Sequence, residues 1–411
     1  MINNVIIKQK NASGEMALFL FAILALQFFI MEFLIDDIIG NATSWYLYVF
    51  AFLFLFQMRY FIIFFNKFLF FKDYKGEEKK NTLSVVICAK NEAANLAAHL
   101  PFVLEQKYKE YEVIVVNDAS TDESEEVLYS LSVKYPHLKV RTIYENEKFS
   151  HGKKLAITLG IKAASNEWIV HTDADCKPVS ENWLTELSKS FTNHTEIVLG
   201  YGAYEKSKGW LNKIITFDTF HIALNYFSLA LAGKAYMGVG RNMAYRRSVF
   251  FSKSNFANHA HILSGDDDLF VNEVAGKYNV KICKTPGSFT VSKPKTSFRQ
   301  WYKQKRRHLT AAPLYKKSDK RRLIIEPISR VMFYVMFVTG YFMLNEMQFL
   351  LSVSLFLLRL IYQAVLFKIG MNRLNEKYLF ITSLIYDMFY PILVAYILVV
   401  NKFQTKQRTW S

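Results

Sequence analysis

Apolar residues are bunched at the two ends of this chain and spaced out through its middle. Residues 16–35 form a nearly continuous apolar run, broken by Gln27 and Glu32, and residues 45–65 form a second run rich in Phe and Tyr. Three more runs follow near the other end, at 328–344, 349–367 and 379–400, the last holding Asp387 and Pro391. A helix needs roughly 20 residues to cross a hydrocarbon layer. The pattern therefore predicts two spanning helices, a long polar insert, and up to three more spans, of which the first is short and the last carries a charge. The insert, about residues 72–326, has room for one folded domain of ~250 residues.

Within the insert the periodicity changes. Short β-branched runs at 84–88, 112–117, 138–144, 168–172 and 196–201 alternate with amphipathic stretches at 91–105, 121–134, 153–164 and 180–192. In the second stretch Val127, Leu128 and Leu131 recur at helical spacing, and Asp122 and Glu123 suit a helix start. Such alternation predicts an α/β domain with a mainly parallel sheet and flanking helices, inserted between transmembrane helices. Ligands of such sheets collect at the carboxyl ends of the strands, so residues 90–92, 117–120 and 172–175 are expected along one rim. After Tyr201 the pattern is irregular and predicts no order of elements.

Composition supports a membrane protein: 52% of the 411 residues are hydrophobic, with 36 Phe and 24 Tyr, too apolar and aromatic for an ordinary soluble domain. Charge sets an orientation. Lys8 and Lys10 precede the first run, Asp36 and Asp37 follow it, and Lys67, Lys72 and Lys75 follow the second, which places the insert in the cytoplasm. The same rule keeps Lys368, Arg373 and Lys377 inside after two further spans, whereas a third span would carry Lys402, Lys406 and Arg408 outside. The first run has no clean small-x-small site after it and reads as a retained anchor rather than a cleaved signal. Cys88, Cys176 and Cys283 are dispersed without metal-ligand spacing, as suits reduced thiols. Of the net charge of +16, ten Lys or Arg lie between Arg299 and Arg322 against the single Asp319. Trp301, Tyr302 and Tyr315 there precede an apolar run, so lipid headgroups are the expected partner and nucleic acid is not.

The first strand ends in CAKNE (88–92) without a glycine-rich turn, which takes most of the weight from dehydrogenase and P-loop kinase readings. The second ends in NDAS (117–120), where Asp118 could bind a base or ribose, or belong to a turn or cap with Asn117, Ser120 and Asp122. HGKK (151–154) puts basic side chains before a helix, where phosphate or plain solvent could meet them. In HTDADC (171–176), Asp173 and Asp175 are alternate residues of an extended segment, so both can reach one cation. SGDDDLF (264–270) adds Asp266, Asp267 and Asp268, either an acidic first helical turn or a cluster dense enough to raise one pKa into the range of a general base. In QKRRH (304–308), Gln304, Arg307 and His308 share one side of a helix predicted over 297–310, facing a site or lipid headgroups.

The order and spacing of these motifs resemble a family 2 membrane glycosyltransferase, the group of cellulose, chitin, hyaluronan and poly-N-acetylglucosamine synthases, which ceramide glucosyltransferase resembles in turn. The resemblance covers about residues 83–313 and extends into the flanking membrane segments. It implies a GT-A-like domain at 72–295 between two N-terminal spans (1–71), an amphipathic interfacial segment (296–326) and C-terminal spans (327–411). It implies that Asp118 holds the nucleoside with Ala89 and Glu92 near base and ribose, that Lys153 touches the nucleotide, and that Asp173 contacts the donor. Asp175 would coordinate Mg²⁺ or Mn²⁺. Asp267 would be the base, with Asp268 taking that role if the alignment slips by one, and Asp266 beside them. Gln304 and Arg307 match a QxxRW motif, Arg307 supporting the diphosphate, whereas His308 stands where the family has a tryptophan that holds an acceptor sugar. That departure weakens the case for long-chain synthesis.

The implied function is inverting transfer of a sugar from a nucleotide sugar, a UDP-sugar by resemblance, to a lipid or glycan acceptor at the bacterial inner membrane. Two alternatives remain at this point: a processive synthase that extrudes its polymer, and a non-catalytic membrane scaffold that senses a nucleotide. Phe217, Phe220, Tyr226 and Phe227 could line an acceptor entrance or form a buried helix face.

Overall fold

The computed structural model describes residues 42–72, 81–144, 152–253, 256, 258, 262 and 264–403. The apolar run at 16–35, His151 and the basic residues Lys406 and Arg408 lie outside the described residues.

Helix α1 (Ala42–Tyr60) continues through a π turn at Phe61–Phe65 into α2 (Asn66–Phe70). The α/β part then opens with β1 (Leu83–Ala89), α3 (Ala93–Leu104), β2 (Tyr111–Asp118), α4 (Ser124–Lys134), β3 (Leu138–Ile143), α5 (Lys153–Ala163) and β4 (Trp168–His171). Up to this point the strands and helices expected from periodicity match within a few residues. Shorter elements follow: β5 (Cys176–Pro178), α6 (Trp183–Ser188), β6 (Ile197–Leu199) and β7 (Gly202–Tyr204). Next come α7 (Trp210–Leu231), β8 (Met243–Arg246), α8 (Arg247–Lys253), α9 (Asp268–Val274), β9 (Val280–Ile282), β10 (Thr290–Ser292) and α10 (Phe298–Leu309). The chain ends in α11 (Lys317–Met343), α12 (Glu346–Arg373) and α13 (Phe380–Phe403).

Seven strands form one sheet in the order β3-β2-β1-β4-β8-β6-β9, and β5-β10-β7 form a second. β3, β2, β1 and β4 are parallel, β8 runs antiparallel to β4 and β6, and β9 is parallel to β6. Every residue of β1 is buried, as expected for a parallel strand covered on both faces by helices. Leu83, Val85 and Ile87 share a core cluster with Leu96, Leu100 and Val103 of α3 and with Trp183, Leu184 and Leu187 of α6. On α5, Gly160 permits close approach to the sheet: a Cβ there would lie 2.5 Å from Val86 Cγ1 and 3.2 Å from Val116 Cγ2.

Among the described residues five helical stretches are long and apolar enough to cross a membrane: Ser44–Phe70, Trp210–Leu231, Lys317–Met343, Glu346–Arg373 and Lys377–Asn401. Three contain the expected runs 45–65, 349–367 and 379–400, and Lys317–Met343 overlaps the run expected at 328–344. The boundary expected at 326/327 falls inside α11, which is already helical from Lys317. Trp210–Leu231 was not anticipated, because Asn212, Asp218, His221 and Asn225 dilute its hydropathy. Phe217, Phe220, Tyr226 and Phe227 are buried on it, so they form a packed face and not an open entrance.

The chain divides into two compact units, residues 42–55 with 332–358, and residues 56–331 with 359–403. In the first, rings of Phe50 and Phe333 stack at 4.7 Å and those of Phe337 and Phe356 at 4.0 Å. In the second, α13 turns Ile381, Ile385, Phe389, Ile392, Tyr396 and Val399 outward, an apolar stripe at helical spacing that water would not favour. Asp387 of this helix is buried and paired with Arg330, which also bridges Glu326 at 3.0 Å. Arg359 Nη2 donates to Gln57 Oε1 (3.1 Å), and Gln57 Nε2 donates to Ser329 Oγ (2.5 Å). Paired charges and satisfied amides let apolar helices carry ionic groups.

Candidate active site

The loops after β1 and β2 are knitted together. Asn91 N donates to Ser120 Oγ (2.9 Å), Thr121 N donates to Asn91 Oδ1 (2.8 Å), and Ala93 N donates to Asp122 Oδ2 (3.0 Å). Asn91 and Ala119 both hold positive φ, 55° and 49°, a left-handed conformation that non-glycine residues adopt only when their surroundings fix it. Ser120 and Asp122 thus take the turn and capping duties at this corner. Asp118, the last residue of β2, is buried, as is Ala89 at the end of β1. Half-buried Glu92 accepts from Asn95 Nδ2 (2.5 Å), while burial and the charges of Asp175 and Asp173 push its carboxyl up.

Asp173 and Asp175 follow β4 directly. Asp173, Asp175 and Cys176 offer ligand atoms within 4.8 Å of one another. Burial, and then Asp175, push the Cys176 thiol up, so it stays protonated and is a poor ligand for a hard cation. Lys153, at the start of α5, bridges Asp173 Oδ1 at 2.8 Å and Asp266 Oδ2 at 2.9 Å. Burial works against both carboxylate charges, but Lys153 outweighs it, holding Asp173 below its ordinary value and Asp266 down at about 2. Lys154 turns elsewhere and donates to Ile262 O (2.9 Å).

The next acid behaves oppositely. Asp267 caps α9: Oδ1 accepts from Asp268 N (2.8 Å) and Oδ2 from Gly240 N (2.7 Å). Burial and the neighbouring Asp266 charge nevertheless push Asp267 up to about 6. A Cβ on Gly240 would sit 3.5 Å from both Asp267 Oδ2 and His171 Cδ2, which places the end of β4 beside this carboxylate. Asp268 is committed elsewhere, its Oδ2 accepting from Tyr315 Oη (2.6 Å) and its Oδ1 from Leu269 N (2.7 Å), and burial followed by Asp267 pushes it up to about 8.

Helix α10 starts at Ser297, whose Oγ accepts from Gln300 N (3.3 Å). It is fastened by Lys305, buried and bridging Asp218 Oδ1 at 2.5 Å, and by Arg306 Nε donating to Asn401 Oδ1 (2.8 Å). Gln304 Nε2 donates to Tyr204 Oη (3.4 Å), and Tyr204 carries the Arg241 guanidinium 4.2 Å from its ring centroid. Arg241 Nη1 donates to Ala203 O (3.1 Å) and Ser292 Oγ (3.2 Å), and burial opposes its charge while the carboxylates of Asp175 and Asp173 favour it. Arg307 is half-buried and His308 exposed.

Lys153 therefore brings the acid pair after β4 and the acid triplet before α9 to one place, while Gln304 reaches it through Tyr204 and Arg241. Sequence reading missed Gly240, Arg241 and Tyr204, and it read Tyr315 only as an aromatic ahead of an apolar run, whereas the residue is buried against Asp268. The tripeptide Gly240-Arg241-Asn242 was the available signal, a small residue beside a cation just before a strand, in the region where element order was not read.

The sequence model described as glycosyl transferase family group 2 matches residues 168–399, more than half of the chain, and that described as glycosyl transferase family 2 matches residues 84–251. The chain belongs to glycosyl transferase family 2. It is 34% identical over 104 residues to glycosyltransferase AglE of Haloferax volcanii, covering 25% of this chain and 33% of that protein. It is 30% identical over 111 residues to a poly-beta-1,6-N-acetyl-D-glucosamine synthase of Staphylococcus epidermidis, covering 27% and 25%. The match thus spans about a quarter to a third of these relatives. In fold, it is similar to the mannosyltransferase PcManGT from Pyrobaculum calidifontis in complex with GDP-Man and Mn²⁺, with a TM-score of 0.52 and 16% identity, over 84% of this chain and 99% of that one. The GT-A-like fold and glycosyltransferase class expected from the motifs both stand.

Proposed function

We propose that this glycosyltransferase is membrane-bound and inverting, and moves a sugar from a nucleotide sugar, a UDP-sugar first among candidates, to a lipid or glycan acceptor. The observation that carries the reading is the Lys153 bridge between Asp173 and Asp266, with Asp267, the one acid of the group poised near 6, alongside. Asp267 takes the proton from the acceptor hydroxyl as that oxygen attacks the anomeric carbon, and the nucleoside diphosphate leaves from the opposite face. A carboxylate near 6 is ionised at neutral pH and still basic enough to share a proton in the transition state. Asp118, with Ala89 and Glu92, holds the nucleoside at the rim of β1 and β2, and Asp173 orients the donor. Lys153 and Arg307 meet the diphosphate's developing charge.

The carboxylates of Asp173 and Asp175 fit a hard divalent cation, Mg²⁺ or Mn²⁺, with Asp175 the principal holder because Asp173 is shared with Lys153. When bound, such an ion would neutralise the diphosphate leaving group. Gln304 sets α10 against Tyr204, and His308 stands at the acceptor end in place of an aromatic platform, which favours a single transfer over polymerisation. The likeness to poly-beta-1,6-N-acetyl-D-glucosamine synthases favours the processive reading instead, and product length separates the two. Apolar helices on both sides of the domain would let a lipid acceptor approach laterally beneath a cytoplasmic donor site in the bacterial inner membrane.

The test is nucleoside diphosphate release by purified protein in detergent, across a panel of UDP- and GDP-sugars, with and without EDTA. Release from one donor that EDTA abolishes supports the proposal. Tight donor binding with no turnover under any condition would refute it and favour a nucleotide sensor.

A further inference from the structure

The segment that opens α11 is fastened to the helix that Asp267 caps. Asp268 and Asn272 are one turn apart on α9, so they share a face. Asp268 Oδ2 accepts from Tyr315 Oη (2.6 Å), Asn272 Oδ1 from Lys316 N (2.9 Å), and Asn272 Nδ2 donates to Asp319 Oδ2 (2.9 Å). Lys316 Nζ donates to Glu273 O (3.4 Å), and the Tyr315 ring lies edge-on to Tyr236 at 5.9 Å. Tyr315, Asp268, Asn272 and Asp319 are all buried, so these polar groups cannot turn to water if the contact opens, and opening is costly. The face of α9 next to the proposed base is thus tied to Tyr315, Lys316 and Asp319, at the entry to a helix long and apolar enough to span a membrane.

We propose that Tyr315 is a positioning residue for glycosyl transfer: through Asp268 it fixes the first turn of α9, and with the Asn272–Asp319 pair it ties the orientation of Asp267 to the segment leading into α11. This rests on Asp267 being the base. Tyr315 touches neither donor nor acceptor, and its effect runs through the third acid of the triplet, which is thereby a structural latch rather than an alternative base. The Tyr315 hydroxyl also favours the ionised form of Asp268.

The test uses the full-length protein in detergent or nanodiscs. Tyr315→Phe removes one oxygen and keeps the ring contact with Tyr236. It lowers kcat about tenfold with donor KM unchanged, as loss of alignment does, and leaves the acidic limb of the kcat profile, set by burial of Asp267 and the Asp266 charge, in place. Asn272→Ala removes the contacts of this side chain with Lys316 N and Asp319 and likewise lowers kcat with donor KM unchanged. Asp267→Asn is run in parallel. If it transfers at the wild-type rate, the base reading fails. If it is inactive while Tyr315→Phe keeps the wild-type kcat, or lowers kcat only together with a raised donor KM, the positioning role is overturned.

Discussion

The pH profile of transfer follows from the split environments of Asp266 and Asp267. These adjacent residues differ because Lys153 bridges Asp266 and holds it near 2, whereas Asp267 pays for burial beside that fixed negative charge and rises to about 6. A base must be ionised to accept a proton, so the rate rises with pH through the base's pKa. With a pKa of about 6, roughly 9% of Asp267 is ionised at pH 5 and roughly 91% at pH 7, a gain of about tenfold. An aspartate at its ordinary value of about 3.9 would be over 90% ionised at both and give a nearly flat profile. Initial rates of nucleoside diphosphate release at saturating donor and acceptor, from pH 4.5 to 8, measure the difference. Asp266→Asn deletes the neighbouring charge and should move the acidic limb down. A wild-type profile flat between pH 5 and 7, or an Asp266→Asn limb that moves up, would refute the electrostatic reasoning.

Two further outcomes concern stability. Gly160→Ala places a methyl 2.5 Å from Val86 Cγ1, forcing α5 off the sheet at a cost of about 1–3 kcal/mol, read as a lower Tm than wild type, and an unchanged Tm would contradict the close packing. Glu376, in the turn after α12, is buried, accepts from Tyr201 Oη (3.1 Å) and is pushed up to about 7 by burial. Because folding favours its neutral form, the stabilisation fully present below about pH 4.5 is lost as pH rises to about 7, on the order of 3 kcal/mol. Glu376→Gln should therefore flatten the fall in Tm between pH 5 and 7, and an identical fall in both proteins would show that Glu376 does not cause it.

What could be read from the chain depended on element length and on how each polar residue is paired. β1 to β4 and the helices between them are long, with clear apolar periods, and Asp118, Asp173 and Asp175 sit at their strand ends as strand-end reasoning expects. β5, β7, β9 and β10 have three residues each, too few for any period to register. Helix α7 was hidden because Asp218, His221 and Asn225 lower its hydropathy, yet the fold buries all three. Asp387 looked like an obstacle to a spanning helix and is instead paired with Arg330. Within the acid triplet, composition could not distinguish three aspartates whose partners are Lys153, Gly240 and Tyr315, residues drawn from distant parts of the chain.

The account stands on acids from separate segments acting as one catalytic site, and Asp267→Asn probes that most directly. Nucleoside diphosphate release in the presence of acceptor is measured for this variant alongside donor binding by titration. The account predicts transfer reduced by about 10²–10⁴-fold with donor affinity within a few fold of wild type. A folded variant that binds donor and transfers at the wild-type rate would contradict it.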